Sequence, residues 1–152
     1  MKTSQCTDNN VNQRRVALFA GSFDPFTSGH EAIVRRALAL FDKVYVAVGV
    51  NTDKHYMFST QERLEQIRTL FAQEPRVEAI SFSGMTIDLC HQLGAQFIVR
   101  GVRNAQDLEY EQTIAAVNHQ LDPSIDTVIL LADTAHKDIS STLERERLTH
   151  QK

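Results

Sequence analysis

Short apolar runs alternate with stretches of helical periodicity along this chain from residue 14 onward. Five runs have the length and residue types of buried strands: residues 15–20, 43–50, 76–81, 95–99 and 127–131. Helical patterns separate them, at residues 31–41, 59–71, 86–93 and 107–121, and a capping box at residues 141–144 opens one more. Because strand–helix–strand crossovers are right-handed, this order predicts an α/β fold, a doubly wound five-stranded parallel sheet with helices on both faces.

Composition limits the class of protein further. The chain has 152 residues, a net charge of −3 and 42% hydrophobic residues, which suits one domain with a buried core. We expect residues 1–13 to be a disordered polar tail and residues 14–152 to form the domain. The charge gives no basic footprint for nucleic acid, and no apolar run reaches the roughly 18 residues that span a membrane. Without an export signal, Cys6 and Cys90 are expected to be reduced thiols in a cytoplasmic protein.

The loop after the first predicted strand has the parts of an anion-binding site. Ligands of open parallel sheets bind beyond the carboxyl ends of the strands, and residues 21–30 (GSFDPFTSGH) lie there. The loop matches neither the Walker A pattern nor GxGxxG, but its two glycines and a helix start can hold a phosphate. Ser28 is predicted to cap the helix. His30, in the first turn, is expected to be a neutral hydrogen-bond donor, although a simple capping role stays open.

Two further loops carry cations. Lys54 follows the second predicted strand, where a solvated surface charge is the alternative to a ligand. Arg100 and Arg103 follow the fourth and form a compact cationic group whose planar forks suit phosphate. If the fourth strand adjoins the first, these arginines face the glycine-rich loop, which would predict a ligand with several phosphates.

The hydroxyl-rich residues 139–142 (ISST), after the fifth predicted strand, suit a phosphate as well. The sequence contains no GxSxG elbow and no HExxH or CxxC spacing, so neither an activated nucleophile nor a protein-bound zinc is expected. Anion-binding loops without a nucleophile predict catalysis by positioning and charge stabilisation. That pattern is typical of phosphoryl and nucleotidyl transfer.

Several of these segments together resemble a known family. Residues 21–30 resemble the T/HxGH signature of the nucleotidyltransferase superfamily, and residues 139–145 (ISSTLER) resemble its second signature, ISSTxxR. Between them, residues 100–103 (RGVR) and 107–111 (DLEYE) are similar to the RGxR…DxEYE stretch of bacterial phosphopantetheine adenylyltransferases, a much narrower match. The resemblance covers about residues 15–147. It implies a Rossmann-like domain that assembles into a homohexamer.

The resemblance also implies a reaction of coenzyme A biosynthesis. The 4′-phosphate of phosphopantetheine would attack the α-phosphorus of ATP in line, without a covalent intermediate, giving 3′-dephospho-coenzyme A and pyrophosphate. The implied cofactor is Mg²⁺, which would arrive with ATP rather than on protein side chains. A shared pantetheine pocket would admit coenzyme A as a feedback ligand.

Roles carry over from the resemblance by position. His30, Lys54 and Arg100 are the implied catalytic residues, with His30 stabilising charge on the ATP phosphates. The implied phosphopantetheine-binding residues are Ser22, Lys54, Thr86 and Arg100. The implied ATP-binding residues are Ser22, Phe23, His30, Gly101, Val102, Arg103, Glu111, His136, Lys137, Asp138, Ile139, Ser140, Ser141 and Thr142.

The chain departs from the family pattern at three positions. Ser22 stands where many members have threonine, which keeps the hydroxyl. His119 occupies a position that is often basic, and Glu144 replaces an apolar residue inside the second signature. We expect these changes to affect assembly or stability more than chemistry.

Two other functions stay open at this point. One is a related nucleotidyltransferase with another phosphorylated acceptor, such as nicotinate mononucleotide, against which Lys54, Arg100 and residues 107–111 argue. The other is a nucleotide-binding module without activity. Such a module could dispense with His30 and Lys54, and both are present.

Overall fold

A computed structural model describes residues 14–132 of the chain. Strands and helices alternate without exception along this part. Their bounds are β1 Val16–Gly21, α1 Ser28–Ala37, β2 Lys43–Gly49, α2 Thr60–Leu70, β3 Val77–Phe82, α3 Thr86–Leu93, β4 Phe97–Val102, α4 Ala105–Leu121 and β5 Asp126–Leu131.

The five strands form one parallel sheet in the order β3-β2-β1-β4-β5. The chain builds outward from the central strand β1 through β2 to β3, and then crosses back to place β4 on the other side of β1. The strand order therefore reverses between β1 and β4, which is where open α/β sheets bind ligands. The predicted doubly wound α/β fold is confirmed, and so is the expectation that the fourth strand adjoins the first.

Side chains of successive strand residues point to opposite faces of the sheet and enter two separate cores. On one face, Phe19 and Val46 pack with Val34 of α1 and Ile67 of α2. The other core holds strand residues such as Leu18, Ala47 and Ile98 together with Ile87 and Cys90 of α3. Both faces are thus covered by helices, as parallel sheets require.

Most element boundaries differ from the prediction by one to four residues, and helix α1, predicted to reach Phe41, ends at Ala37. The end of β4 matters most for the site. Strand β4 continues to Val102, so Arg100 and Gly101 are strand residues rather than loop residues, and Gly101 pairs with Leu130 of β5. A Cβ at Gly101 would lie 3.1 Å from the Ile33 side chain, so a larger residue here would force Ile33 to shift where α1 crosses the strand.

Helix α1 starts at Ser28, three residues earlier than predicted, and its N-cap is Thr27 instead of Ser28. Capping was predicted correctly at two other helices. Ser59 and Glu62 form the expected capping box of α2, and Gly94 ends α3 in the left-handed conformation.

The predicted tail at residues 1–13 and the predicted capping box at residues 141–144 lie outside the described residues, so the domain boundaries stay predictions. Within residues 14–132, no helix combines the length and the apolar composition needed to cross a membrane.

Candidate active site

A pocket of about 750 Å³ opens at the carboxyl ends of the strands, on the face covered by α3 and α4. Its walls come from the loops after β1, β2 and β3, from side chains of β4, and from one side of α4. All four predicted phosphopantetheine-binding residues line it: Ser22, Lys54, Thr86 and Arg100. Residues from four different segments of the chain therefore meet beside the reversal of strand order.

Lys54 connects two walls of the pocket. Its Nζ lies 3.3 Å from Ser22 Oγ, to which it donates a hydrogen bond. Two hydrogen bonds close the turn that presents Lys54. The main-chain N–H of Lys54 donates to the Asn51 carbonyl at 3.1 Å, and the main-chain N–H of Asn51 donates to the Tyr56 hydroxyl at 3.0 Å. The exposed lysine is thus held over the pocket mouth by its loop.

Arg100 projects from β4 into the pocket and is paired with a buried carboxylate. Its Nε and Nη2 donate to the two carboxylate oxygens of Glu111 at 3.0 and 2.8 Å, and its Nη1 donates to the Ala20 carbonyl at 2.6 Å. Glu111, in α4, is 5% exposed. The sequence predicted a compact cationic group here, but Glu111 offsets the charge of Arg100 and holds its guanidinium in one orientation.

Arg103 does not enter the pocket. Its side chain is 70% exposed and lies 3.6 Å from the Asp107 carboxylate at the start of α4. The other two predicted nucleotide contacts in this stretch, Gly101 and Val102, are strand residues, and the Val102 side chain is buried. The two arginines therefore do not lie together in the pocket, because the strand carries Arg100 into it and leaves Arg103 at the surface.

His30 lies on the opposite face of the sheet from the pocket. Its ring packs against Phe19, Phe23 and Phe26, with centroid distances of 6.2, 5.0 and 5.3 Å. The ring Nδ1 accepts a hydrogen bond from the main-chain N–H of Thr27 at 2.9 Å, and the main-chain N–H of His30 donates to Thr27 Oγ1 at 3.4 Å. His30 therefore completes a capping box, and in the neutral ring the proton belongs on Nε2, which remains available as a donor.

Burial lowers the pKa of His30 below its ordinary value, and the charges of Arg103 and Arg100 lower it further. The ring is therefore neutral near pH 7. The sequence predicted the same direction from the helix dipole, but removal of the ring from water is the first cause.

The glycine-rich loop contains a buried phenylalanine whose backbone is in the left-handed region. Phe23 has a φ of 49° and is buried, and its ring lies where a side chain at Gly21 would stand, at 3.0 Å. Gly21 is thus needed for close packing. The Phe23 ring, predicted to lie at the nucleotide, belongs to the core beside His30.

Sequence reasoning missed two residues that bind the main chain of the segments around the pocket. The carboxylate of Asp24 accepts from the Met57 and Phe58 N–H groups at 2.6 and 2.8 Å, which ties the first loop to the second. Loss of hydration acts to raise the pKa of Asp24, but these two bonds and the nearby Arg63 and Lys54 charges outweigh it and hold that pKa below its ordinary value.

Arg63 is the second missed residue, and it is completely buried in α2. A signal for it was present, because Arg63 lies one helical turn before Ile67 and so shares the apolar face of the helix.

Seven predicted ATP-binding residues lie outside the described residues: His136, Lys137, Asp138, Ile139, Ser140, Ser141 and Thr142. Among residues 14–132, no group of three or more histidine, cysteine, aspartate or glutamate side chains could hold a metal ion.

Comparison with known proteins places the chain among nucleotidyltransferases. The sequence model described as cytidylyltransferase-like matches residues 18–147. A phosphopantetheine adenylyltransferase of Porphyromonas gingivalis is 47% identical over 137 residues, which cover 90% of this chain and 89% of the relative. The corresponding enzyme of Flavobacterium psychrophilum is 48% identical over 132 residues, or 87% of each chain.

Among solved structures, a bifunctional NMN adenylyltransferase/ADP ribose pyrophosphatase from Francisella tularensis superposes with a TM-score of 0.62. The match covers 82% of this chain and 40% of that one at 16% identity, and it therefore concerns the fold alone.

Proposed function

The chain belongs to the cytidylyltransferase-like family, and from this premise we propose that it transfers AMP from ATP to 4′-phosphopantetheine. The products are 3′-dephospho-coenzyme A and pyrophosphate, in coenzyme A biosynthesis. The observation that carries the choice of acceptor is the pocket that unites Ser22, Lys54, Thr86 and Arg100. Relatives named for this activity, near 47% identity over nine-tenths of the chain, support the same acceptor.

Lys54 and Arg100 bind the acceptor phosphate in this proposal. A phosphate oxygen is already anionic near pH 7, so the attack on the α-phosphorus requires orientation and charge compensation more than a strong base. Glu111 keeps the Arg100 guanidinium in place before the substrate arrives, which reduces the entropy lost on binding. Lys54 approaches from the opposite loop, next to Ser22 Oγ.

His30 acts on the nucleotide side. Its Nε2–H donates to an ATP phosphate oxygen as negative charge develops, and the N-terminus of α1 adds a favourable dipole. A neutral donor suits this role because it stabilises the transition state without having to lose a proton. Ser22, between the two sides of the site, contacts both substrates.

Mg²⁺ accompanies ATP in this proposal and supplies charge neutralisation on its phosphates. The proposed nucleotide contacts also include Phe23, Gly101, Val102, Arg103, Glu111 and residues 136–142. Of these, Glu111 lines the pocket and already holds Arg100.

The proposal extends to assembly, to the compartment and to coenzyme A as a feedback ligand. Helix α4 leaves Tyr110, Val117 and Leu121 exposed by half or more, and apolar side chains of this size in one helix support an interface between copies of the chain. The homohexamer is the assembly that the family resemblance implies. Mass measurement in solution tests the hexamer. A cytoplasmic site of action fits an enzyme that uses ATP.

Pyrophosphate release from MgATP tests the activity when each acceptor is added in turn. We expect release with 4′-phosphopantetheine and none with pantetheine, which lacks the attacking phosphate. ATP binding without release on addition of 4′-phosphopantetheine would refute the proposal. Release with nicotinate mononucleotide alone would indicate a related transferase, and ATP binding with no release from any acceptor would indicate an inactive nucleotide-binding module.

A further inference from the structure

Arg63 carries a positive charge in the interior of the fold, and the mechanism above does not use it. Its side chain, in α2, is 0% exposed. Burying a guanidinium is costly unless its charge or its donors are compensated. None of the close ion pairs formed among residues 14–132 includes Arg63. The Asp24 carboxylate, whose pKa the Arg63 charge helps to lower, acts on it only from a longer distance.

Main-chain carbonyls accept hydrogen bonds from Nη1 of the guanidinium, whereas Nε has no hydrogen-bond partner among the described residues. The Nη1 of Arg63 donates to the Ser22 carbonyl at 2.7 Å and to the Gly49 carbonyl at 3.1 Å. Ser22 follows β1 and Gly49 ends β2, so one nitrogen joins the carboxyl ends of two neighbouring strands. The Nη2 reaches Thr60 Oγ1 at 3.4 Å, which fixes the guanidinium to the start of its own helix.

The plane of the guanidinium also supports the loop that carries Lys54. Its central carbon lies 4.0 Å from the centre of the Tyr56 ring, a cation–π contact, and the Tyr56 hydroxyl accepts from the Asn51 N–H at 3.0 Å. Lys54 Nζ lies 5.6 Å from the same ring and 3.3 Å from Ser22 Oγ. Arg63 therefore contacts both substrate-binding loops, one through a carbonyl and one through an aromatic ring.

We propose that Arg63 is a positioning residue that fixes Ser22 relative to Lys54, so that the acceptor phosphate and ATP meet in line. In-line transfer is sensitive to this placement, since a displacement of about 1 Å can reduce the rate about 100-fold. The effect on turnover rests on the proposed function. The mechanical link between the two loops does not.

Arg63→Lys is the primary test variant, because it keeps the positive charge but has one nitrogen and no planar face. Arg63→Gln, which is neutral, is the second. Arg68→Lys is the matched control: Arg68 also lies in α2 and also donates to a main-chain carbonyl, that of Ala79 in β3, at 3.3 Å. Ala79 and Arg68 do not line the pocket at the strand ends.

Two measurements separate positioning from general stability. We expect kcat per folded molecule to fall about 10- to 100-fold in Arg63→Lys, and further in Arg63→Gln, while Arg68→Lys stays within about twofold of the wild type. We also expect hydrogen exchange of residues 20–24 and 50–58 to become faster in both Arg63 variants and to stay unchanged in Arg68→Lys.

Wild-type kcat and wild-type exchange of both loops in Arg63→Lys would overturn the inference, as would equal effects in Arg68→Lys. The route through Ser22 is tested in a Ser22→Ala background, where the loss of kcat caused by Arg63→Lys should shrink. Full additivity would contradict that route. If the wild type releases no pyrophosphate with 4′-phosphopantetheine, the proposed function fails, and loop exchange still decides whether Arg63 links the loops.

Discussion

The carboxylate of Glu111 accepts two hydrogen bonds from the guanidinium of Arg100, at 2.8 and 3.0 Å, in a position almost completely shielded from water. The same guanidinium donates to the Ala20 carbonyl at the end of β1. Helix α4 and the central strand thus set the orientation of Arg100 jointly. A bidentate pair of this kind fixes geometry as well as charge.

Glu111→Gln should disturb both properties. The amide offers one acceptor in place of two, and we expect 4′-phosphopantetheine binding to weaken about 10- to 100-fold because Arg100 is no longer held in one orientation. The free energy of unfolding should fall by about 1–3 kcal/mol. Calorimetric titration and urea unfolding measure the two effects. Glu109→Gln, an exposed carboxylate of the same helix, is the control, and equal affinities in the two variants would contradict the role of Glu111.

His30→Ala should lower kcat about 10²- to 10³-fold, because it removes a donor aimed at developing charge. Loss of its capping bond should cost only about 1 kcal/mol of stability. Thr27→Ala is the control, since it removes the capping hydroxyl and leaves the ring in place. Pyrophosphate release per folded molecule is the measurement. Retained turnover in His30→Ala would leave His30 with a capping role alone.

Arg103→Gln should raise the pKa of His30 toward its ordinary value, since the charge of Arg103 lowers that pKa more than the charge of Arg100 does. Titration of the His30 ring by NMR measures the change. In the wild type, the unfolded state binds the His30 proton near pH 6.5 and the folded state only at lower pH, so stability falls as the pH drops through this window. The pH range between the unfolded-state and folded-state pKa values of His30 should narrow in Arg103→Gln. An unchanged His30 titration would show that Arg103 does not contribute to the pKa of His30.

Lys54→Ala should weaken 4′-phosphopantetheine binding about 10- to 100-fold, the value of a charge-assisted hydrogen bond, and leave ATP binding largely intact. Stability should hardly change, because the side chain is exposed. Lys43→Ala, at the opposite end of β2, is the charge-matched control. Both affinities are measured by calorimetry. Equal losses for the two substrates would contradict the assignment of Lys54 to the acceptor.

Asp122→Asn should reduce the acid sensitivity of the fold without touching the site. The hydrogen bond from His91, with others from Ser124, lowers the pKa of Asp122 to about 2. Asp122 therefore contributes stability that is present above pH 3.8, its ordinary pKa, and is lost as the pH falls through about 2. Urea unfolding between pH 5 and pH 2 should show a shallower decline in Asp122→Asn than in Asp88→Asn. Identical slopes would refute the pairing as the cause.

The fold was readable from the sequence because alternation of apolar runs and helical stripes is a local property. The extent of β4 was not, since Arg100 and Gly101 have the composition of a loop. They belong to the strand because their main chain pairs with Ile129 and Leu130 of β5. The Arg100 side chain is in turn bound by Glu111, eleven residues farther along the chain. Tertiary contacts of this kind produce no periodic pattern of apolar residues in the sequence.

The site was readable in part. The four residues that the family resemblance assigned to the acceptor, Ser22, Lys54, Thr86 and Arg100, line one pocket. The sequence did not predict that Arg100 and Arg103 would be separated, because it ended the fourth strand at Val99. The strand runs to Val102, so Arg100 is a strand residue and Arg103 follows the strand. Arg63 escaped notice because a polar residue in an amphipathic helix normally faces water, whereas here two strand-end carbonyls receive its donors.

The two cores on opposite faces of the sheet have a consequence for how such an enzyme can diverge. The acceptor pocket is lined by Ala20, Ile98 and α4, whereas His30 rests on the phenylalanines of the other core. Substitutions that reshape the acceptor side can therefore accumulate without repacking the surroundings of His30. Proteins with this fold can therefore change the acceptor that they bind while they keep the same nucleotide.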